Sequence, residues 1–236
     1  MPSEVTVTFS EMTDAEVGSF EYVCTDEFGN YMGTTTYSGR AGEIVFLLND
    51  KDYRSTMTVE QYDYEYGDGD VITLHEATRG DGVDLVFLAD CYDAKDIAGG
   101  SYLRDIEAAY GYYFDIEPYR TYKDYFNVYL VFGESDDSGM GTVNTIRDAK
   151  FGSQYSLDGI SPDFETAYAY ANKAASSLDP TKTLIVMIEN TTAYGGITYM
   201  WGDGTAIACC PKSRDAYPYD FRGIVQHEAA GHGFGK

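Results

Sequence analysis

Val83-Asp84-Leu85-Val86-Phe87-Leu88-Ala89-Asp90 is the segment from which the fold class can be read, because it is apolar at nearly every position. Such a run is typical of a strand that is covered on both faces, as in a parallel sheet. Two similar runs follow at residues 125–132 and 183–188, and helical patterns occupy residues 93–112 and 164–175 between them. The order strand, helix, strand, helix, strand predicts an α/β domain.

The chain before this segment has a different pattern. Short β-rich runs recur about every ten to fifteen residues, at residues 5–9, 19–23, 43–48, 56–59 and 71–74. This spacing predicts an antiparallel β-sandwich. Because the composition changes at residues 78–82, we predict a β-sandwich domain at 1–80 and an α/β domain at 81–236. The overall class is therefore α+β.

The composition excludes some partners. With 39 acidic and 16 basic side chains, the net charge of −23 repels phosphate backbones, so nucleic-acid binding is not expected. No apolar run is long enough to span a membrane. The first five residues lack the features of a signal peptide, which fits either a cytosolic protein or the mature form of an exported one.

Other common sites have little support. The acidic turn at residues 67–70 is a candidate calcium site, but it lacks the EF-hand spacing, and we favour a solvated hairpin turn. Cys24 and Cys91 are isolated and Cys209 and Cys210 are adjacent, so we expect buried free thiols. The chain has no nucleophile-elbow, phosphate-loop or dinucleotide motif, so serine hydrolase, nucleotide and redox functions are not indicated.

The segment with the clearest chemistry is Ile224-Val225-Gln226-His227-Glu228-Ala229-Ala230-Gly231-His232-Gly233-Phe234-Gly235. We predict a helix over residues 221–235. Two imidazoles are good zinc ligands, and a neighbouring carboxylate can take the proton from a metal-activated water. His227 and His232 are thus predicted as metal ligands and Glu228 as the general base, as in a His-Glu-x-x-His helix.

The spacing here is one residue longer than in that motif. At about 100° per residue, ligands four apart lie about 40° apart around a helix, whereas ligands five apart lie about 140° apart. Two ligands of one ion cannot occupy opposite flanks. We therefore predict a π-type turn at Gly231, which brings both histidines onto one face. The alternative is a helix whose two histidines are merely exposed or structural.

The residues before this helix form a second candidate element. Residues 194–208 have the pattern of a hairpin, with Tyr194, Gly195 and Gly196 at its start. Glycines permit close approach of another backbone, so this hairpin is a candidate for binding an extended peptide, and Tyr194, Gly195 and Gly196 for contacting it. An ordinary glycine-rich hairpin is the alternative.

Four blocks of the sequence resemble the IgA-peptidase family of metallopeptidases (M64). They are residues 85–90, 125–129, 194–196 and 227–235, in the order in which the family has them. The resemblance implies a zinc-dependent endopeptidase domain of metzincin-like α/β fold, often preceded by a β-sandwich and usually secreted or at the cell surface. The final block is also similar to the zinc helix of the dipeptidyl peptidase III family, which accommodates the extra residue. That family is longer and helical, and the other blocks do not fit it.

One ligand of the predicted site is not evident. Catalytic zinc commonly has three protein ligands and a water, and in related families the third ligand follows the second histidine. If the polypeptide ends at Lys236, we expect weak zinc binding and no activity. The rival hypothesis is a non-catalytic binding or adhesion protein in which the peptidase-like domain is degenerate.

Overall fold

The computed structural model describes residues 64–156, 159–175 and 178–234 with their side chains, and residues 20–25, 31–37, 43–48 and 51–56 as backbone strands. The chain divides into two compact units, Met1–Asp63 and Tyr64–Lys236. Within the described residues, no helix is both long and apolar enough to cross a membrane.

The described part of the first unit consists of two hairpins. Strand β1 (Phe20–Thr25) pairs antiparallel with β2 (Tyr31–Tyr37), and β3 (Glu43–Leu48) pairs antiparallel with β4 (Lys51–Thr56). The strands predicted near residues 19–23 and at 43–48 are therefore present. The predicted strand at 5–9, and residues 57–59 of another, lie outside the described residues. The β-sandwich stays a prediction.

The described residues of the second unit contain nine strands. In chain order they are β5 (Val71–His75), β6 (Val83–Asp90), β7 (Phe126–Val131), β8 (Gly141–Thr142), β9 (Gln154–Ser156), β10 (Gly159–Ser161), β11 (Leu184–Glu189), β12 (Ile197–Met200) and β13 (Ala206–Pro211). Six of them form one sheet in the order β12-β13-β11-β6-β7-β5. The four central strands are parallel; three of them, β6, β7 and β11, are the predicted apolar runs, and the edge strands β5 and β12 are antiparallel to their neighbours.

The division between the units differs from the predicted one. We predicted a boundary after residue 80, whereas the structure divides the chain between Asp63 and Tyr64. The reason is β5, which pairs with β7 and so belongs to the six-stranded sheet. The alternating pattern of an antiparallel edge strand is the same whether it belongs to a sandwich or to the rim of a mixed sheet.

The same described part of the unit contains five α-helices, a 3₁₀ turn and a π-helix. They are α1 (Ala94–Ala98), α2 (Ser101–Phe114), α3 (Tyr119–Tyr122), the 3₁₀ turn Lys123–Tyr125, α4 (Phe164–Ala174), α5 (Phe221–Ile224) and the π-helix Val225–Gly233. The single helix predicted at 93–112 is thus two helices. Gly100 separates them at φ 75°, in the left-handed region that breaks a helix and that glycine adopts readily.

The helices cover the sheet on both faces. Side chains of α2 and the π-helix pack with Leu85, Phe87 and Ala89 of β6 in one core. Helix α4 packs with Val86 and Leu88, which point to the other side of the same strand. Burial on both faces explains why β6 from Leu85 onward, and all of β11, are apolar until their last residues.

A buried tyrosine hydroxyl bridges β6 and β7 where their pairing ends. The hydroxyl of Tyr102 on α2 accepts hydrogen bonds from Ala89 N at 2.9 Å and Gly133 N at 3.0 Å, and donates to Val131 O at 2.9 Å. The last paired residues of the two strands are Phe87 and Leu130. Tyr102 therefore forms hydrogen bonds with backbone groups that β6 and β7 no longer form with each other where they diverge.

We expect Tyr102→Phe to lower the free energy of unfolding by about 2–4 kcal/mol, because it leaves buried backbone groups without partners. Tyr113→Phe is the matched control, since the buried hydroxyl of Tyr113 has no hydrogen-bond partner. Urea unfolding followed by circular dichroism measures both. Equal effects of the two substitutions would contradict this account of Tyr102.

Candidate metal site

The π-helix brings the two histidines of the zinc motif together. It runs over all nine residues from Val225 to Gly233, rather than over the single widened turn that the sequence predicted at Gly231. His227 Nε2 and His232 Nε2 are 3.2 Å apart, and the rings are perpendicular with centroids 4.7 Å apart. The wider turn of a helix with i to i+5 hydrogen bonds therefore places the pair on one exposed face.

The separation of the two nitrogens fits a shared metal ion. With zinc–nitrogen bonds of 2.0–2.1 Å and tetrahedral angles, two ligating nitrogens lie about 3.3 Å apart. The 3.2 Å between His227 and His232 matches that spacing and equally permits a hydrogen bond between neutral rings. The donor set is also suitable, because neutral imidazoles are good ligands for zinc.

Small residues set the π-helix close to the sheet. Asp220 caps the preceding turn, where its carboxylate accepts from Gly223 N at 2.8 Å. Ala229 and Ala230 are buried, and a Cβ on Gly233 would lie 2.7 Å from Leu184 Cδ1 on β11. The absence of large side chains on this face allows the helix backbone to approach the sheet closely.

Glu228 lies on the side of the π-helix that faces the edge strand β12. Its side chain is 9% exposed, and its Oε2 is 2.7 Å from Thr198 Oγ1. A Cβ on Gly196 would lie 2.7 Å from Glu228 Cγ and 2.8 Å from Ile224 Cγ2. At position 196, therefore, only glycine allows the Glu228 side chain to keep its present position.

The predicted substrate-contacting segment lies next to Glu228. Tyr194 is 54% exposed and packs edge-on against Tyr219. Tyr155 fixes the segment, because its hydroxyl donates to Tyr194 O at 2.9 Å. Burial raises the pKa of Tyr155 to about 12, so the hydroxyl keeps the proton that it donates. The roles of Tyr194, Gly195 and Gly196 in binding substrate stay predictions.

No third donor joins the histidine pair from the His, Cys, Asp and Glu side chains that the structure describes. The remaining histidine, His75, ends β5, and β5 and β12 are the opposite edges of the sheet. Position therefore excludes His75 from this site.

A second group of potential ligands lies elsewhere, at the ends of β6 and β11. Asp90, Cys91 and Glu189 are fully buried, with one donor atom of each within 4.8 Å of the others. However, Asp90 Oδ1 accepts from Cys91 N, Ser135 Oγ and Phe151 N, and its Oδ2 accepts from Ser153 N. Three donors saturate Oδ1 and one bonds Oδ2, so protein groups already satisfy most of this carboxylate.

The other two members of that group are held in neutral forms. Burial and the charge of Asp90 raise the pKa of Glu189 well above its ordinary value, and burial with the same charge raises the pKa of the Cys91 thiol. Metal ligands of these types bind as anions. We conclude that the group joins the strand ends to neighbouring loops and does not fit a metal.

In the acidic turn at residues 67–70, the candidate calcium site, the carboxylates also bond to protein groups. Asp68 pairs with Lys150 at 3.0 Å and accepts from Glu134 N, and Asp70 accepts from Gly67 N at 2.8 Å. These contacts account for the acidic residues without an ion.

Several residues of these sites did not stand out in the sequence. Thr198 and Tyr155 are common residues in short strands, and only the tertiary structure brings them to Glu228 and Tyr194. Asp90 had a weak signal, since a charged residue ends an otherwise apolar strand. The three cysteines whose side chains are described, Cys91, Cys209 and Cys210, are buried and free, as predicted.

The model of one protein family, described as IgA Peptidase M64, matches residues 72–232 of the chain. The match begins in β5 and ends at the second histidine of the π-helix, so it covers the whole six-stranded sheet. No curated protein matches the sequence.

We expect Glu189→Gln and Asp90→Asn to have opposite effects on stability. Folded Glu189 keeps its proton above the ordinary value of 4.5 while the unfolded chain releases it, so this residue makes stability fall as pH rises. Glu189→Gln removes that dependence. The free energy of unfolding of the variant, relative to that of the wild type, therefore rises from pH 4.5 upward by about 1.4 kcal/mol per pH unit until the raised pKa is reached.

Asp90→Asn instead places an amide nitrogen against a backbone donor, and we expect a loss of about 3 kcal/mol. Urea unfolding of the wild type and both variants between about pH 5 and pH 8 measures the two effects. If the difference in free energy of unfolding between the wild type and Glu189→Gln does not change with pH, Glu189 is not a buried neutral group.

Gly196→Ala tests the contact between the segment and the π-helix. The added methyl overlaps Glu228 Cγ and Ile224 Cγ2, so we expect a loss of about 1–3 kcal/mol in unfolding free energy. Gly202→Ala in the same hairpin is the control, because its Cβ would meet nothing within 4 Å. Thermal unfolding of the two variants should separate them clearly, and equal midpoints would argue against the close packing.

Proposed function

Because this chain belongs to the IgA peptidase M64 family, we propose that it hydrolyses peptide bonds with zinc held by His227 and His232 and with Glu228 as general base. The observation that carries the proposal is the 3.2 Å separation of the two Nε2 atoms, with Glu228 directly after His227 in the same helix. Peptides or proteins are the proposed substrates.

Zinc, when bound, polarises the scissile carbonyl and makes a water more acidic. The two histidines hold it through Nε2 lone pairs on the exposed face of the π-helix. Gly231, which is exposed beside His232, adds no side chain to that face. A substrate carbonyl can therefore approach the histidine pair from solvent.

Glu228 supplies the acid–base chemistry in this proposal. Its carboxylate takes a proton from the attacking water and then gives it to the leaving amine. With 9% of its surface exposed, Glu228 has few competing waters. Its position between the π-helix and β12 keeps the carboxylate beside the strand that we assign to the substrate.

Strand β12 offers a place for an extended peptide. Among the described strands it pairs only with β13, so one row of its backbone N–H and C=O groups faces outward. A peptide that adds to this edge satisfies those groups through main-chain hydrogen bonds, and its sequence matters little to them. Tyr194, Gly195 and Gly196, immediately before β12, are the proposed additional contacts.

The zinc content and peptidase activity of three variants test the proposal. We expect His227→Ala and His232→Ala to lose zinc, and Glu228→Gln to keep zinc but lose about 10²–10⁴-fold in kcat. His75→Asn is the control, since His75 lies at the opposite edge of the sheet, and it should retain both properties.

Elemental analysis after dialysis measures zinc per chain, and a fluorogenic peptide library measures turnover. Unchanged zinc content in His227→Ala would refute the metal assignment. A wild-type protein that holds zinc but cleaves no peptide would instead favour the non-catalytic binding hypothesis.

A further inference from the structure

Thr198 lies on β12, the strand that borders Glu228, the proposed general base, and whose outer edge is the proposed binding place for substrate. Its neighbours Ile197 and Tyr199 pack into the core on the far face of the sheet. Because side chains alternate along a strand, Thr198 points to the near face, where its partner Ala208 packs with the π-helix. The hydroxyl of Thr198 thus meets the π-helix directly.

Two acceptors of Glu228 compete for the single hydroxyl proton. Thr198 Oγ1 is 2.7 Å from Glu228 Oε2 and 2.9 Å from the backbone oxygen of Glu228. Hydrogen bonds to an ionised acceptor are shorter and about twice as strong as neutral ones. When Glu228 is ionised, the Thr198 hydroxyl therefore donates its hydrogen bond to Oε2.

We propose that Thr198 is a positioning residue that reserves Oε1 of Glu228 for the proton taken from water. This inference rests on the proposed function of Glu228. With Oε2 bound to Thr198, and Cγ packed close to Gly196, the side chain is held at both ends. Oε1 has no hydrogen-bond donor among the described residues, so its lone pairs are available.

The proton transfers balance without the Thr198 hydroxyl losing its own proton. Water gives a proton to Oε1 while its oxygen forms a bond to the scissile carbonyl carbon. The proton on Oε1 then moves to the amide nitrogen as the carbon–nitrogen bond breaks. During the interval in which Glu228 is neutral, Thr198 can turn to the backbone oxygen of Glu228 at 2.9 Å.

The location of Thr198 gives this contact a consequence beyond holding a side chain. The same four-residue strand, β12, presents its outer edge to a peptide and its inner face to Glu228. A peptide aligned on β12 is therefore aligned with the base through one rigid element. Fixing the reacting groups in this way lowers the entropy cost of reaching the transition state.

Thr198→Val and Thr198→Ser separate the hydroxyl from the shape of the side chain. We expect Thr198→Val to lower kcat about tenfold with KM within about twofold and zinc content unchanged. Thr198→Ser keeps the hydroxyl and should recover most of kcat. Thr166→Val is the matched control, because it also removes a threonine-to-carboxylate hydrogen bond, of 2.8 Å to Asp163, but at the start of α4 on the far face.

A second readout does not depend on turnover. In the metal-free protein, NMR side-chain couplings of Glu228 should report one rotamer in the wild type and in Thr198→Ser, and rotamer averaging in Thr198→Val. A single rotamer in all three proteins, or equal kcat in wild type and Thr198→Val, would overturn the assignment. Loss in Thr198→Ser equal to that in Thr198→Val would also overturn it, because the methyl group would then be the cause.

The failure of this inference can be told apart from failure of the proposed function. If Glu228→Gln is as active as the wild type, the general base is wrong and both fall. If Glu228→Gln is inactive while Thr198→Val is fully active, only the role of Thr198 is wrong. If the wild type cleaves nothing, the NMR comparison still supports or refutes the Thr198 contact.

Discussion

The distance between two imidazole nitrogens is the constraint on which the candidate site depends. Five residues separate His227 from His232, and an α-helix would point them about 140° apart. The chain instead forms a π-helix from Val225 to Gly233, and the two Nε2 atoms meet at 3.2 Å. The π-helix packs closely on β11 and β13, because the residues that face these strands, Ala229, Ala230 and Gly233, are small.

The close approach of this helix also determines where Glu228 is held. Its side chain enters the narrow space between the π-helix and β12, where Gly196 has no side chain and Thr198 offers a hydroxyl. A larger residue at 196 would push the carboxylate away from its hydrogen bond. The glycine before β12 therefore has a packing reason in the structure, in addition to any contact with substrate.

The parallel sheet behind the site is completed by polar groups at the ends of its strands. Asp90 receives four hydrogen bonds from the segments that follow β6, β7 and β8, and the hydroxyl of Tyr102 joins the diverging ends of β6 and β7. Such fully bonded buried groups fix backbone positions strongly, because any loss of a partner leaves an uncompensated polar atom. They hold the loops without needing a metal, although the same atoms resemble a ligand cluster by distance alone.

The sequence by itself determined the central strands, the zinc motif and the need for a widened turn. Continuous apolar runs at β6 and β11 and the five-residue histidine spacing are local signals, and local signals survive without knowledge of the fold. The family follows from the same residues and is confirmed by the match to residues 72–232. The break at Gly100 and the extent of the π-helix were not predicted, because a helical pattern continues through one glycine and neither feature changes the apolar period.

Only the tertiary structure decided which strand borders the site and which side chains support it. Strand β5 joins the sheet through β7, more than fifty residues later in the chain, so its pattern alone assigned it to the wrong unit. Thr198 and Glu228 are thirty residues apart, and Tyr155 and Tyr194 thirty-nine. A hydroxyl carries no sequence signal for the partner it will meet across a sheet, because that partner is set by register and by how closely a helix can lie on the strands.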